Sequence, residues 1–198
     1  MRNRYLNGLL TLGLLAPVAG WAYASTMTLT PQSRIWVEGT STVRGFECKA
    51  PAVTALIEAT GPDAANLVLA GTKGITRVDV TIPAKKLDCA NGTMNGHMFK
   101  AIKADAAPEI KFSLASYDLT RAGDEVKVRM NGKLSLGGVE KAITLDADAK
   151  AGPNGTLLVT GSEELKLSDY GLKAPTLMMG TMKVADAVKV RYELALKN

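Results

Sequence analysis

Apolar and polar residues alternate along most of this chain with a period of two, the pattern of a strand with one face buried and the other in water. Ser33 to Glu38 places Ile35 and Val37 on one face and Trp36 on the other, and Arg44 to Lys49 brings Phe46 and Cys48 together. Val78, Val80 and Ile82 alternate with Arg77, Asp79 and Thr81 up to Pro83. The same rhythm runs through Ile110, Phe112 and Leu114, through Val126 to Leu136, through Ile143 and Leu145, and through Val188 to Leu196. Leu157, Val159, Leu165 and Leu167 follow the turn signal Pro153-Asn154-Gly155, and Val53–Ala59 and Leu67–Ala70 are short apolar runs around Gly61-Pro62-Asp63. This patterning predicts an all-β domain of antiparallel strands. Its long C-terminal strands suit a sheet that curls and closes, and about eight strands leave room for packed side chains or one ligand. A two-sheet sandwich has the same periodicity, so the period alone does not separate the two.

One stretch departs from the alternation. Between Asn91-Gly92 and Pro108 the spacing predicts one short helix, with Met94, Met98 and Ile102 at i, i+4 and i+8 forming an apolar stripe. Thr93 is placed to cap its start, and Lys100 and Lys103 point elsewhere. Such a helix lies on the sheet or plugs one end of it.

Composition changes the picture at the N-terminus. Arg2 and Arg4 precede an apolar run from Leu6 to about Ala19, and Ala22-Tyr23-Ala24 supplies the small-x-small pattern before Ser25. This is the layout of a secretory signal peptide over residues 1–24, leaving a single domain over 25–198. The run is short and broken by glycines and Pro17, so it does not read as a membrane anchor. No second apolar span follows, so the mature chain is expected to be soluble, without stable membrane insertion, in the periplasm or secreted. The net charge of +5 includes the leader's two arginines. The remaining lysines are dispersed, with no basic run interleaved with aromatics, which argues against nucleic acid as a partner.

Export also bears on Cys48 and Cys89, the only cysteines. In a disulfide-permissive compartment they allow one intramolecular pairing, worth up to ~4 kcal/mol in the chain-entropy model. Two free thiols, or a partial metal site with His97, are the other readings. A metal site would fall short of four ligands, so none is expected. His97, the only histidine, has no Gly-x-Ser-x-Gly elbow elsewhere in the chain to support a triad and reads as a surface or cap residue. Asp146 and Asp148 share a strand face that solvation explains, Glu163-Glu164 is a second acidic pair, and there is no phosphate loop or nucleotide fingerprint. The chain is not expected to be an enzyme or to carry a cofactor. Ala174 to Met182 is an apolar, methionine-rich loop, either a binding patch or core closing one end.

Three motifs, in order and spacing, resemble the YceI family of exported lipocalin-like barrels from about Arg34 to Leu196. Gly132-Lys-Leu134-Ser-Leu136-Gly-Gly138-Val139-Glu-Lys141-Ala-Ile143-Thr144-Leu145 is similar to the family's G-x-L-T-I-x-G-V-T-x-x-V-T-L hairpin. Pro108-Glu-Ile110-Lys-Phe112 matches its P-x-I-x-F strand opening, and Ser41-Thr-Val43-x-Gly-Phe46 resembles its S-x-V-x-F region. Of the R-D-x-H that often precedes the family's helix, Met94-Asn95-Gly96-His97 keeps only the histidine. The resemblance implies an antiparallel barrel of about eight strands, one short helix capping an end. It also implies an interior holding a long isoprenoid lipid of the quinone or polyprenyl-phosphate class, as carrier or store. The expected apolar wall is Phe46, Met98, Phe99, Ile102, Phe112, Leu114, Met130 and Met179. The alternative is a ligand-free exported barrel acting through surface interactions or stress protection. A homodimer is compatible with either.

Overall fold

The structure, a computed structural model, describes residues 25–177 and 181–198. Residues 1–24, read from the sequence as a signal peptide, and Met179 lie outside the described residues. The first half contains strands β1 (Ser25–Leu29), β2 (Arg34–Ser41), β3 (Gly45–Lys49) and β4 (Thr54–Ala59), helix α1 (Ala64–Leu69), strand β5 (Ile75–Pro83) and helix α2 (Gly92–Ala101). The second half is strand after strand: β6 (Glu109–Ala122), β7 (Glu125–Leu136), β8 (Val139–Ala151), β9 (Leu157–Lys166), the two-residue β10 (Thr176–Leu177) and β11 (Met182–Lys197).

Eight of these close an antiparallel barrel in the order β1-β4-β5-β6-β7-β8-β9-β11, with β11 returning to β1 through Thr28↔Lys197 and Leu29↔Leu196. Barrel rather than sandwich is therefore the outcome. The hairpin β2–β3 continues the wall. β1 pairs with the last residues of β11, whereas β2 pairs with the rest of it, from Glu193↔Arg34 to Val184↔Ser41. β1 and β2 thus lie end to end along one edge of β11. β3 pairs with β2, and among the described residues its other contact in the sheet is the single bridge Lys49↔Asp88. There the ladder stops and α2 takes over.

Closure leaves two apolar clusters. One end is filled by Met27, Ile57, Val126, Ala149, Leu157 and Leu196, with Ala64, Ala65 and Val68 of α1 packed against them. Tyr117 belongs to this plug, and its hydroxyl both accepts from Ile75 N–H at 2.9 Å and donates to Ile75 C=O at 3.1 Å. α1 is a second helix where the alternation suggests only an apolar run. Six residues are too few for a 3.6-residue period to show, and the helix is held by its ends. Gly71, at φ +77°, lets the chain reverse while Gly71 N–H and Thr72 N–H bond the carbonyls of Val68 and Leu67. The other cluster joins Ile102, Leu136, Leu165, Leu167, Tyr170 and Val188 at the α2 end.

α2 is fastened at its start in three ways. Its cap is Asn91, not Thr93: the Asn91 carboxamide oxygen accepts from Met94 N–H at 3.0 Å, so the helix begins before Thr93. Asn95 reaches back, its Oδ1 accepting from Cys89 N–H at 2.7 Å while its Nδ2 donates to Asp88 at 2.9 Å. Asp88 also accepts from Ala90 N–H, and these bonds, Asn95 first, lower its pKa below the usual carboxylate value. Third, Cys89 is disulfide-bonded to Cys48 of β3, as expected from the sequence.

Candidate functional site

Between the two clusters the barrel holds a cavity of about 710 Å³. Its wall is made by the inward residues of nearly every strand, placed there by pleat parity: Ile35 and Val37 on β2, Val78, Val80 and Ile82 on β5, Leu134 on β7, Ile143 and Leu145 on β8, Val188 and Val190 on β11. Met94, His97, Met98 and Ala101 of α2, with Ile102 at its C-terminal cap, complete it. They fall at i, i+3, i+4, i+7 and i+8, one face of the helix.

The polar lining residues sort by position. Ser41, opposite Val184, and the exposed Arg44, Asn91 and Thr93 gather with His97 at the α2 end, which is therefore the mouth. Glu163 and Tyr192 lie deeper. Tyr192 sits opposite Gly161 and donates its hydroxyl to the Asp146 carbonyl at 3.0 Å. Burial chiefly, then the nearby Glu163, Asp146 and Asp148, pushes its phenol well above the ordinary range. Glu163 has its pKa raised, by burial first and then by Asp146 and Glu164. The outer face is unlike the inner one. Arg129 grips Asp146 through two bonds of 2.9 and 3.1 Å, and Lys127 meets Asp148 at 2.6 Å. Asp146 and Asp148 are thus a solvated, paired strand face, as their spacing suggests.

Three glycines on the inner face make room for aromatic rings. A Cβ on Gly39, Gly132 or Gly161 would fall within 3.0 Å of Phe46, Phe112 or Tyr192 respectively. Gly39↔Phe46 and Gly161↔Tyr192 are direct cross-strand partners, and Phe112 lies diagonal to Gly132. Each ring lies over bare backbone on the neighbouring strand instead of standing up into the lumen. Large aromatics thereby become wall, not filling.

Five of the expected wall residues, Phe46, Met98, Ile102, Phe112 and Met130, line the cavity. Phe99 does not: one residue beyond Met98 it is turned about 100° around the helix, and it packs against the cluster at the α2 end. Leu114 also stays out of the lining, because it sits beside the closed-end plug, next to the irregularity between Leu114 and Ser116. Met179 is outside the described residues. His97 lines the mouth and is partly buried, a position between the surface and cap roles expected of it. Glu163 is a deep, charged lining residue that sequence reading passed over. It was legible, since Val159, Gly161, Glu163 and Leu165 share one parity; only Glu164 of that acidic pair faces solvent.

The matching family model is that of the YceI-like domain, over residues 27–196. The chain belongs to the YceI-like family. Solved structures agree with the domain's fold. BcnA of Burkholderia cenocepacia superimposes with a TM-score of 0.65 at 19% identity, covering 85% of this chain and 99% of that one. A polyisoprenoid binding domain from Saccharophagus degradans, implicated in plant cell wall breakdown, gives 0.60 at 13% identity, covering 87% and 97%. The Campylobacter jejuni YCEI protein gives 0.56 at 23% identity, covering 76% and 84%. No curated protein matches the sequence. Among the described residues, no helix of this YceI-like domain is long and apolar enough to cross a membrane, and no cluster of three or more His, Cys, Asp or Glu is placed to hold a metal.

Proposed function

We propose that this YceI-like domain is an exported, non-enzymatic binding protein that holds a long apolar lipid of the isoprenoid class, quinone or polyprenyl phosphate, inside its barrel as carrier or store. The observation that carries the reading is the cavity: about 710 Å³, walled by aliphatic, methionine and flat-lying aromatic side chains, with polar residues confined to the mouth and one deeper station. That is the composition of a site for an apolar body with few polar contacts. The mouth residues Arg44, Asn91, Thr93 and His97 are where a polar head would meet the protein. Likeness to a polyisoprenoid binding domain supports the same class. The disulfide agrees with the export read from the leader.

Mass spectrometry of an organic extract of the protein, purified from its native compartment without detergent, tests this directly. A co-purifying isoprenoid lipid is expected, and Val80→Trp with Leu145→Trp, which fill the lumen, should lose it while remaining folded. An extract free of lipid, together with no uptake of farnesol or a short-chain quinone by the stripped protein, would refute the proposal.

A further inference from the structure

Glu163 is an acidic group where the lumen is otherwise apolar. It sits on β9 opposite Val190, with Leu165 on the mouth side of it and Gly161 under the Tyr192 ring on the closed side. Val190 in turn pairs with Val37, and Ser41 with Val184, so the rungs of β11 measure depth. From Val184 at the mouth to Val190 is roughly 20 Å along the strand at about 3.3 Å per residue, shortened by the register shift between Val184 and Val188. The cavity thus has two polar stations, one at the mouth and one deep.

Among the described residues, no side chain answers the deep carboxylate. Arg44 and His97, the only basic residues on the described lining, are at the mouth. The groups facing Glu163 from its neighbours are either acidic or already used. Glu164 follows it on β9 with its side chain exposed. Asp146 of β8 is paired with Arg129, and Asp148 with Lys127. Arg191, next along β11, is engaged outward with Glu38 at 2.8 Å. Tyr192 has given its hydroxyl hydrogen to the Asp146 carbonyl. A carboxylate turned into an apolar lumen is costly unless paired. The partner that fits is a hydrogen-bond donor brought in by the ligand, because a charge-assisted bond is strongest where water is excluded.

We propose that Glu163 is a second anchoring point inside the barrel, selecting ligands that carry a protonated amine or a hydroxyl on their apolar body. This rests on the reading of the lumen as a lipid site and adds to it a preference the mouth alone would not give. Arg44 at the mouth attracts anions, so any preference for a cation is diagnostic of the deeper group.

The test compares three probes of equal chain length, dodecylamine, dodecanol and dodecanoate, by titration calorimetry on the disulfide-bonded mature protein. The amine is expected to bind about tenfold tighter than the acid, with the alcohol between them. The Glu163→Gln variant should erase the amine–acid gap and leave dodecanol within a few-fold. Arg44→Gln should leave the gap or widen it, and Glu163→Asp, which keeps the charge, should retain part of it, so that loss of charge and loss of packing are told apart. An amine–acid gap that is absent in the wild type, or that survives Glu163→Gln, overturns the proposal while dodecanol binding leaves the lipid reading standing. No binding of any of the three overturns both.

Discussion

The disulfide offers the sharpest quantitative test of how this barrel is held together. Cys48 and Cys89 are separated by 41 residues in sequence, and the loop they close contains β4, α1 and β5. In the chain-entropy model a loop of that size restricts the unfolded ensemble by up to ~4 kcal/mol. Both cysteines are buried, and the Met98 sulfur lies 3.6 Å from that of Cys89, so replacing the pair also removes packed volume. The perturbation is the double variant Cys48→Ala/Cys89→Ala, compared with wild type in the presence and absence of reductant. With a urea slope of ~2 kcal/mol per molar, a loss of ~4 kcal/mol moves the unfolding midpoint down by about 2 M. Reduced wild type should fall close to the double variant, since each lacks the same cross-link. Among the described residues β3 has only the Lys49↔Asp88 bridge on its far side, so hydrogen exchange should quicken first in β3 and the first turn of α2. Oxidised and reduced midpoints that coincide within about 0.25 M, or ~0.5 kcal/mol at that slope, would refute the entropic account and leave the bond a bystander.

Three further outcomes follow from named contacts. Asn91→Ala should cost ~1 kcal/mol in urea unfolding through loss of the α2 cap, whereas Thr93→Ala should be near neutral; the reverse order would restore Thr93 as the cap. Gly132→Ala should cost roughly 1–3 kcal/mol by overpacking against Phe112, and Phe112→Leu in the same chain should recover part of that, a non-additivity read from a double-mutant cycle. For Glu163 the sign is opposite to that of a paired carboxylate. Its folded pKa is raised by burial, Asp146 and Glu164, so the folded state is penalised above that pKa and the penalty vanishes as pH falls below the unfolded value. In the ligand-free protein Glu163→Gln should therefore raise the thermal midpoint at pH 7, with the gain closing near pH 4; a variant less stable at neutral pH would contradict this.

Much of this architecture was legible in the sequence because one face of each strand is wetted. Val126 to Leu136 and Val188 to Leu196 alternate without interruption, and these residues became β7 and β11 with the expected faces inward. The α2 stripe of Met94, Met98 and Ile102 was readable for the same reason, a period long enough to count. What escaped was whatever depends on partners distant in sequence. α1 has too few residues to show its period. The cap is Asn91 because Asn95 and Asp88 shape the turn before it. Phe99 and Leu114 were misplaced by phase around a helix and by height along a strand, respectively. Glu163 had the right parity for the lumen, but an acidic pair draws the eye to the surface, and an inward charge is the choice that hydrophobic patterning weights least.

The barrel also fixes when it can be finished. Its last seam joins Leu29 to Leu196, the two ends of the domain. Loop-closure entropy and the slow formation of contacts far apart in sequence put that seam among the late events of folding. A chain that begins folding from its N-terminal side therefore carries β1 unpaired along β11's side until the final strand arrives. Until then the future lumen lies open as a trough of apolar residues between two unmatched edges, exposed to other chains. The ordering implies that truncating even the last few residues of β11 should hurt yield far more than their number suggests, by prolonging the interval in which the trough is open.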